Sequence, residues 1–322
     1  MKALILAGGA GTRLRPLTNA IPKPLVPLLG RPLVMHIIDS LPKEVDTVVL
    51  AVSYMKGALE SYFRQNDCGR KVVLINEEEP LGTGGAIRNA RQYLDEMFLC
   101  FNGDVISSLD LTAFLDHHRR HGGIGTLALW RVADPSAFGV AKMLNGRITE
   151  FQEKPSPGTA VSDLINAGTY AFEPELLDHI GDGFVSLERE VFPKILERGL
   201  HGYQFTGHWV DCGTLESYLN AQSVLIDDGE DVVCVQRQEG ARLIGANHLD
   251  GVTLSHCRVG PHVCAMRGSS IMDGSTVERS VLMEGAQVGK GCVIKDCILG
   301  PGAQVKDGQT LNGEILVRGS SA

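Results

Sequence analysis

The sequence predicts an α/β domain with a Rossmann-like, mixed but mostly parallel sheet flanked by helices, followed by a C-terminal parallel β-helix. The chain has 322 residues, which at about 150 residues per domain suggests two domains. Short β-branched runs alternate with amphipathic stretches over roughly the first 225 residues, as expected for parallel strands joined by helices. After about Arg242 the helical periods disappear and glycine appears every few residues.

The first part of the α/β domain alternates strands and helices in order. The apolar runs KALILA, TVVLAV, KVVLI and MFLCF are predicted strands, and the amphipathic stretches PLVMHIIDSL and KGALESYFRQ are predicted helices. Parallel sheets bind ligands beyond the carboxyl ends of their strands, because the crossover loops gather there. We therefore expect the residues that directly follow the apolar runs to form a site.

The rest of this domain is predicted to be a strand-rich extension closed by two helices. Residues 124–170 contain four strand-like runs and few helical ones, which indicates a mixed extension covering the site. Helices are predicted around 187–197 and 215–225, and the acidic segment IDDGED is typical of a linker. The predicted boundaries are 1–226 for the α/β domain, 227–241 for the linker and 242–322 for the β-helix domain.

The C-terminal part carries an imperfect short repeat. Aliphatic residues recur about six positions apart, and one-residue slips interrupt this period. The recurring residues are Val259, Ala265, Ile271, Val277, Leu282, Val288, Ile294, Leu299 and Val305. The repeat resembles the hexapeptide-repeat family, which forms a left-handed parallel β-helix with about eighteen residues per coil. On that resemblance the tail provides about four coils, which suits packing or homo-oligomerisation better than acyl transfer. An irregular glycine-rich β-sandwich is the alternative.

Composition excludes several classes of protein. The formal charge of −8 gives no support for binding nucleic acid or an anionic membrane. No run approaches the roughly 20 apolar residues that span a bilayer, and the amino terminus does not match a signal peptide. The eight cysteines form no C-x-x-C pair, so we expect buried free thiols. These features predict a cytoplasmic protein.

The first strand runs into a glycine-rich turn with two cationic residues close behind. The turn begins at Gly8, and Arg13 and Lys23 follow it. Glycines let the backbone approach a phosphate chain, and cationic side chains balance its charge. The spacing matches neither the P-loop nor the dinucleotide-binding pattern.

The string LAGGAGTRLRPLT followed by PKPLVP resembles the sugar-1-phosphate nucleotidylyltransferases. Members of this family join a nucleoside triphosphate to a sugar 1-phosphate and release pyrophosphate. The resemblance implies that Arg13 and Lys23 are catalytic, holding the triphosphate and stabilising the transition state. It implies a nucleotide-binding set of Leu6, Ala7, Gly8, Gly9, Gly11 and Thr12.

Two aspartates match the metal-binding positions of this family. Asp104 follows an apolar run within the motif NGD, and Asp211 lies in WVDCGT just before a predicted helix. The resemblance implies that both carboxylates bind one Mg²⁺, a hard ion that takes its remaining ligands from phosphate and water. Taken singly, each aspartate is typical of a turn or a helix cap.

Three further motifs between these aspartates match the sugar-phosphate elements of the family. They are FGV, EKP and NAGTY. By that match Lys154 binds the phosphate of the sugar 1-phosphate, and Gly139, Glu153 and Asn166 contact sugar hydroxyls. Phe138 stands where relatives often carry tyrosine, which removes one hydrogen bond.

The segment EEEPLGTGGAI corresponds to the base-binding loop of the family. Relatives that use thymidine or uridine triphosphate tend to carry glutamine about where Glu77 falls. A carboxylate only accepts hydrogen bonds, which suits the N–H donors of guanine and favours GTP, with Gly82 and Thr83 packing by the base. The assignment of Glu77 rather than Glu78 is open by one residue, and a solvated acidic loop is the alternative.

The string EPLGTGGAI resembles guanylyltransferases acting on manno-configured sugars, including mannose 1-phosphate and heptose 1-phosphate enzymes, and SLEREVFP resembles the mannose group. The function hypothesis is therefore Mg²⁺-assisted in-line displacement that joins GTP to mannose 1-phosphate. The alternatives are a thymidylyl- or uridylyltransferase for glucose 1-phosphate, a heptose enzyme, a silent regulatory homologue, and a bifunctional acyltransferase. We do not expect the histidines of DHHRRH to bind metal, because they lie at a helix end that cations complement.

Overall fold

The computed structural model describes residues 1–319, which divide into two compact units. The first unit comprises residues 1–10 and 34–209. The second comprises residues 11–33 together with the chain from Val210 onwards. None of the helices within the described range is long and apolar enough to span a membrane.

The first unit is built on a nine-stranded mixed sheet in the order β5-β4-β1-β6-β11-β8-β12-β10-β9. Strands β1, β4, β5 and β6 run parallel, β11 is antiparallel to β6 and β8, and β12 is parallel to β8. This confirms the predicted mixed, mostly parallel sheet with a strand-rich extension. The strands of this sheet are β1 Lys2–Leu6, β4 Thr47–Val52, β5 Lys71–Asn76, β6 Phe98–Asn102, β8 Gly125–Arg131, β9 Gly139–Leu144, β10 Arg147–Glu153, β11 Leu164–Phe172 and β12 Leu200–Gln204.

Register places the carboxyl ends of the four parallel strands at one edge. Leu6 of β1 pairs with Ala51 of β4 and with Asn102 of β6, and Val52 pairs with Asn76 of β5. The loops that follow these strands therefore start from neighbouring positions, as the sequence predicts. The central strands are buried on both faces, which explains why they read as continuous apolar runs.

Helices of the first unit contact strands of this sheet, and two helices match the amphipathic segments in the sequence. These two are α1 (Leu33–Ser40) and α2 (Lys56–Gln65). Asp110 caps α4, and its carboxylate accepts hydrogen bonds from the Thr112 and Ala113 N–H groups. The helices are α1 Leu33–Ser40, α2 Lys56–Gln65, α3 Gly82–Asn89, α4 Leu111–His121, α5 Phe192–Ile195 and α6 Leu215–Leu225. The short strands outside the main sheet are β2 Pro27–Leu28, β3 Arg31–Pro32, β7 Val105–Ser107 and β13 Trp209–Asp211.

The helix predicted around 187–197 is not one continuous α-helix. It consists of a π-helical turn, Leu187–Val191, the short helix α5, and a 3₁₀ turn, Leu196–Arg198. Pro193 has no N–H and its ring crowds the carbonyl four residues earlier. The Phe192 N–H bonds to Leu187 O, five residues back, so the first turn is widened. This wide turn carries Glu188, which is half-buried.

The second unit contains a parallel β-helix, which confirms that prediction. Most paired strands in successive coils are offset by 17 residues, as in the series Cys264, Val281, Ile298 and Ile315. The aliphatic side chains of each coil stack in one core, and this stacking is what the imperfect six-residue spacing encodes. Its strands are β14 Val232–Glu239, β15 Arg242–Leu243, β16 His248–Ser255, β17 Arg258–Val259, β18 Cys264–Ala265, β19 Ser270–Ile271, β20 Thr276–Glu278, β21 Val281–Leu282, β22 Gln287–Val288, β23 Val293–Lys295, β24 Ile298–Leu299, β25 Gln304–Val305, β26 Thr310–Asn312 and β27 Ile315–Leu316.

The segment predicted as a linker, 227–241, has regular structure. Strand β14 within it pairs in parallel with β16 of the β-helix. Its side chains are mostly exposed, including Val233 and Cys234. The acidic composition of IDDGED therefore covers a π-helical turn at Ile226–Glu230 that leads directly into this strand.

Residues 11–33 pack within the second unit. The hydroxyl of buried Tyr218 on α6 donates to Pro27 O, and a Cβ placed on Gly300 of the β-helix would lie 3.4 Å from Leu17 Cδ1. Arg279 of the β-helix forms a bidentate ion pair with Glu216 on α6 at 3.0 Å for each contact. Within this unit, the segment that carries Arg13 and Lys23 thus shares its packing with α6 and the β-helix.

Candidate active site

The carboxyl ends of β1, β4 and β5 bring three polar groups together in the first unit. Ser53 follows β4 and its hydroxyl donates to Gly8 O, after β1. Glu77 follows β5, and a Cβ placed on Gly8 would lie 3.3 Å from Glu77 Oε2 and 3.4 Å from Ser53 Oγ. A side chain at position 8 would require Glu77 or Ser53 to shift by a few tenths of an ångström, so glycine favours this close approach.

Glu77 is the buried member of the acidic run. It is 7% exposed, whereas Glu78 and Glu79 face solvent. Burial raises the pKa of Glu77, and a hydrogen bond with the Leu81 backbone partly opposes that shift. The interpretation of the run as an entirely solvated loop is therefore wrong at Glu77, and the structure favours Glu77 over Glu78 as the residue at the strand edge.

Helix α3 begins against the chain at 183–185. Gly82 has φ +70°, and a Cβ there would lie 2.6 Å from Val185 O. The Gly84 N–H donates to the same carbonyl at 2.9 Å, and a Cβ on Gly85 would lie 2.5 Å from Gly183 O. The glycines of GTGG are therefore required by close backbone contact, and Val185 O takes up part of the donor capacity at the start of this helix.

Thr83 links α3 to the π-helical turn. Its hydroxyl donates to Glu188 Oε2 at 2.8 Å and accepts the Leu187 N–H at 2.9 Å. The Ser186 hydroxyl donates to the same carboxylate oxygen at 2.8 Å. Sequence reasoning placed Thr83 by the base and did not single out Glu188. The contact joins residues 105 positions apart, so local patterns carry no signal for it beyond the motif SLEREVFP.

Asp104 lies in the turn that follows β6. The Gly103 N–H donates to Leu6 O at 2.9 Å, and a Cβ on Gly103 would lie 2.7 Å from that oxygen. The turn is thereby fixed to the end of β1, which places Asp104, half-buried, at the carboxyl edge of the sheet. This is the position that the sequence predicts for it.

The predicted sugar-binding residues of β9 and β10 lie side by side. A Cβ on Gly139 would be 2.9 Å from Glu153 Oε2 and 2.6 Å from the Phe151 ring, so only glycine fits. Lys154 adopts φ +50°, its N–H donates to Phe138 O at 2.9 Å, and its Nζ lies 3.7 Å from Glu153 Oε1. Burial raises the pKa of the Glu153 carboxyl, and the charge of Glu188 adds to this.

Asn166 sits where β11 departs from regular pairing. The register with β8 shifts between Asn166 and Tyr170, a type of irregularity that often accompanies a functional site. Asn166 donates to the Tyr170 hydroxyl at 2.8 Å and accepts the Gly168 N–H at 3.1 Å. Gly168 has φ +72°, and a Cβ there would lie 2.6 Å from Asn102 Nδ2. The bulge therefore fixes the Asn166 amide beside the NGD turn.

Within the second unit, the residues after Gly11 form a tight turn. Gly11 has φ +59°, and a Cβ there would lie 2.9 Å from Thr18 Cγ2 and 3.2 Å from Lys23 Cβ. The Thr18 hydroxyl donates to Gly11 O at 2.7 Å. Lys23 is 8% exposed, which is rare for a lysine. Thr12, in contrast, is exposed.

Arg13 and Asp211 come together around Gly213 in the same unit. A Cβ on Gly213 would lie 2.5 Å from Arg13 Nη2 and 2.9 Å from Asp211 Oδ1. Thr214 then caps α6, with its hydroxyl accepting the Ser217 N–H and the Ser217 hydroxyl accepting the Thr214 N–H. Gly213 thus leaves room for the guanidinium beside the carboxylate, and the capped helix fixes the WVDCGT turn.

The predicted site residues fall into two groups by unit. The nucleotide-loop residues Leu6 to Gly9, the base loop, Asp104 and the sugar-binding residues belong to the first unit. Gly11, Thr12, Arg13, Lys23 and Asp211 belong to the second. Within residues 1–319, no group of three or more histidines, cysteines, aspartates or glutamates is arranged to hold a metal ion.

Comparison with family models identifies both parts of the chain. Residues 2–228 match the model described as nucleotidyl transferase, and residues 237–316 match a GlmU-like, C-terminal hexapeptide model. Enzymes of the first family generally use a divalent metal.

Full-length relatives cover most of the chain. Mannose-1-phosphate guanylyltransferase 1 of Arabidopsis thaliana is 35% identical over 301 residues, which is 88% of this chain and 81% of that protein. Mannose-1-phosphate guanylyltransferase of Mycobacterium tuberculosis is 38% identical over 300 residues, 88% of this chain and 82% of that protein.

Solved structures show the same catalytic fold. HddC from Yersinia pseudotuberculosis is 29% identical, with a TM-score of 0.58 over 68% of this chain and 97% of that one. A putative glucose-1-phosphate thymidylyltransferase from Bacillus anthracis aligns with a TM-score of 0.63 over 69% of this chain and 93% of that one, at 24% identity, and so supports the fold alone. Together with the family models, these similarities confirm that the chain belongs to the nucleotidyl transferase family and carries a hexapeptide-repeat C-terminal domain.

Proposed function

We propose that this enzyme joins GTP to mannose 1-phosphate, giving GDP-mannose and pyrophosphate. The observation that carries the choice of base is the buried carboxylate of Glu77 beside Gly8. A carboxylate at the base loop accepts hydrogen bonds and cannot donate them while ionised, which matches the N1–H and N2–H₂ groups of guanine. The sugar assignment draws on the mannose-1-phosphate guanylyltransferases that this chain resembles over most of its length.

Base recognition in this proposal depends on Glu77, Gly82 and Thr83. Glu77 accepts from the guanine edge, and Gly82, whose close contact with Val185 O fixes the start of α3, packs by the base. Thr83 acts through its backbone and methyl group, because its hydroxyl is held by Glu188 and Leu187.

The triphosphate is proposed to bind along the loop that continues β1. This loop supplies backbone N–H groups to the phosphate oxygens, and Arg13 and Lys23 neutralise their charge. The burial of Lys23 supports this role, because a buried ammonium group is strengthened in its interaction with phosphate where water is excluded. The loop residues in this set are Leu6, Ala7, Gly8, Gly9, Gly11 and Thr12.

The sugar 1-phosphate is proposed to bind between β9, β10 and β11. Lys154 holds its phosphate, and Gly139, Glu153 and Asn166 contact hydroxyls. The absence of a side chain at Gly139 lets Glu153 pack directly against β9. The left-handed conformation of Lys154 directs its backbone away from the strand, at a point anchored by Phe138 O.

Two carboxylates are proposed to hold one Mg²⁺. Asp104 and Asp211 are both half-buried and end strands or turns whose backbone is tightly fixed. Oxygen donors of this kind fit Mg²⁺, which commonly takes one or two protein carboxylates and fills its other positions with phosphate oxygens and water. When bound, the ion would neutralise charge on the reacting phosphates.

The proposed reaction is a single in-line displacement. An oxygen of the sugar phosphate attacks the α-phosphorus of GTP, a new P–O bond forms, and the bond to the β-phosphate bridging oxygen breaks as pyrophosphate leaves. The nucleophile is already anionic at neutral pH, so the chain needs no strong base. Its residues align the triphosphate with the sugar phosphate and balance the negative charge of both, and Arg13 and Lys23 have this role.

The test is pyrophosphate release with Mg²⁺, crossing GTP, dTTP, UTP, ATP and CTP against the 1-phosphates of mannose, heptose, glucose and N-acetylglucosamine. A maximum with GTP and mannose 1-phosphate supports the proposal. A maximum with heptose 1-phosphate contradicts the assignment of mannose as the sugar. A preference for dTTP or UTP contradicts the proposal that Glu77 selects guanine. Silence with every pair favours a regulatory homologue that binds a nucleotide-sugar.

Compartment and assembly complete the proposal. All eight cysteines are free thiols and six are buried, as expected for a protein of a reducing compartment, and we propose that it acts in the cytoplasm. The β-helix is proposed to mediate a homo-oligomer, which sedimentation of the full chain and of a β-helix surface variant would test.

A further inference from the structure

Glu188 is held in place by two hydroxyl groups of the first unit. Thr83 and Ser186 donate their hydroxyls to one of its oxygens, Oε2, at 2.8 Å each, and Leu187 N–H fixes the Thr83 hydroxyl at 2.9 Å. Two donors on one oxygen constrain the side-chain rotamer, so little conformational entropy remains to be lost when the other oxygen binds a ligand.

The charge of Glu188 faces the proposed sugar-binding residues. Burial is the largest cause of the raised pKa values of the Glu153 carboxyl and the buried Tyr170 hydroxyl. The charge of Glu188 is the second cause for both groups. Tyr170 in turn accepts from Asn166 at 2.8 Å. Glu188 is therefore electrostatically close to both Glu153 and the Asn166–Tyr170 pair, on a different element from either.

One carboxylate oxygen of Glu188 is available. In the described part of the chain Oε1 accepts no hydrogen bond, while Oε2 accepts two. Glu188 is half-buried, so the available oxygen is in reach of a small ligand. A carboxylate oxygen of this kind accepts hydrogen bonds from hydroxyl groups and repels phosphate, so its complement is the hydroxyl-bearing side of a sugar ring.

The π-helical turn explains how Glu188 reaches this position. Pro193 blocks regular helix at 187–197, and widened turns of this type are frequent at functional sites. The widening shifts the side chain relative to an α-helical turn. No requirement of core packing accounts for an acidic residue there, since the neighbouring Leu187 and Val191 fill the core.

We propose that Glu188 is a specificity-determining residue that binds a hydroxyl of the sugar 1-phosphate through Oε1, opposite Glu153. The inference rests on the proposed function and adds one residue to the sugar-binding part of that same site. Thr83 is the positioning residue in this arrangement, because it fixes Glu188 and also belongs to the start of α3. The base loop and the sugar pocket are thus joined by one hydrogen-bonded link.

The test measures KM for GTP and for mannose 1-phosphate separately in Glu188→Gln and Glu188→Ala, with Glu190→Gln as the matched control. Glu190 is exposed on the same turn. We expect the sugar KM to rise at least ~10-fold in Glu188→Ala, the effect of losing a hydrogen bond to a charged group, with the GTP KM within about twofold of wild type. Glu188→Gln keeps an acceptor for Thr83 and Ser186, so it guards against simple misfolding.

The rates with 2-, 3- and 4-deoxymannose 1-phosphates, each relative to mannose 1-phosphate, distinguish sugar binding from a purely structural role of Glu188. A purely structural role would leave these relative rates unchanged. In wild type, one analogue should lose rate because its partner carboxylate is left unpaired. In Glu188→Ala the rate with that analogue should be no lower than the rate with mannose 1-phosphate itself. Such a result shows that the side chain and the hydroxyl are coupled, as in a double-mutant cycle. Unchanged discrimination against all three analogues, or an equal rise in both KM values, overturns the inference.

Failure of the proposed function is distinguishable from failure of this inference. If wild type turns over no substrate pair, the proposed function has failed. The Glu188 assignment is then read from calorimetric titration of wild type and Glu188→Gln with mannose 1-phosphate. Weaker binding by the variant supports the assignment, and equal affinity or no binding to wild type overturns it.

Discussion

The Glu77 carboxylate lies 3.3 Å from the point that a side chain on Gly8 would occupy. The first strand and the base loop therefore meet without an intervening group. Because β1 and β5 are separated by β4 in the sheet, this contact depends on the register that aligns their carboxyl ends. It makes Glu77 the most direct point at which to change the choice of base.

Glu77→Gln should relax the selection of the nucleotide. An amide donates as well as accepts, so it can satisfy a pyrimidine edge. We expect kcat/KM with GTP to fall by at least ~10-fold and the ratio of UTP to GTP rates to rise, since mismatched polar groups cost on this scale. Competition assays with paired triphosphates measure the ratio. Glu78→Gln, which changes an exposed neighbour, should leave it unmoved; an equal effect in both variants would refute the assignment.

Removing Lys23 or Asp104 should abolish most of the turnover without unfolding the chain. Loss of a charge-stabilising group at the reacting phosphates costs at least ~10² in kcat. Lys23→Ala and Asp104→Ala are assayed for pyrophosphate release, with circular dichroism to confirm folding. Lys142→Ala, on the exposed side of β9, is the control. Near-normal turnover of either site variant is incompatible with the proposed mechanism.

Gly82→Ala should disturb the base loop. The added Cβ meets Val185 O at 2.6 Å and the backbone has φ +70°, so both contact and conformation are unfavourable. We expect lower thermal stability and a higher KM for the triphosphate. Gly57→Ala is the matched control, because Gly57 lies in α2 with open space around its Cα and alanine favours helix by about 1 kcal/mol. Thermal melts of both variants should therefore move in opposite directions.

Acid should destabilise the first unit through His117. Burial, together with the charges of His121 and His201, lowers its pKa from 6.5 to about 4. Between these values the unfolded chain binds the proton and the folded chain does not, so stability falls as the pH drops from 6.5 towards 4. His117→Phe should flatten this part of the profile in urea titrations at stepped pH. An identical slope in the variant would show that other groups carry the effect.

Much of the fold follows from local patterns in the sequence. Amphipathic periodicity gives the bounds of α2 and α6 as observed. The aliphatic spacing gives the parallel β-helix, although most of its coils repeat every 17 residues rather than 18. The strand-end rule places Gly8, Glu77 and Asp104 at one edge. Two features escape such reasoning. The widened turn at 187–191 depends on a proline inside an otherwise helical pattern, and the contact of Thr83 with Glu188 depends on tertiary packing.

Residues 11–33 carry Arg13 and Lys23, yet they share a compact unit with α6 and the β-helix. Leu17 lies close to Gly300 of the β-helix, and Pro27 O accepts a hydrogen bond from the Tyr218 hydroxyl on α6. Both elements therefore contribute to the packing of residues 11–33. A substitution at Gly300 should therefore alter the packing of the segment that carries Arg13 and Lys23, although Gly300 is distant from both residues in the sequence.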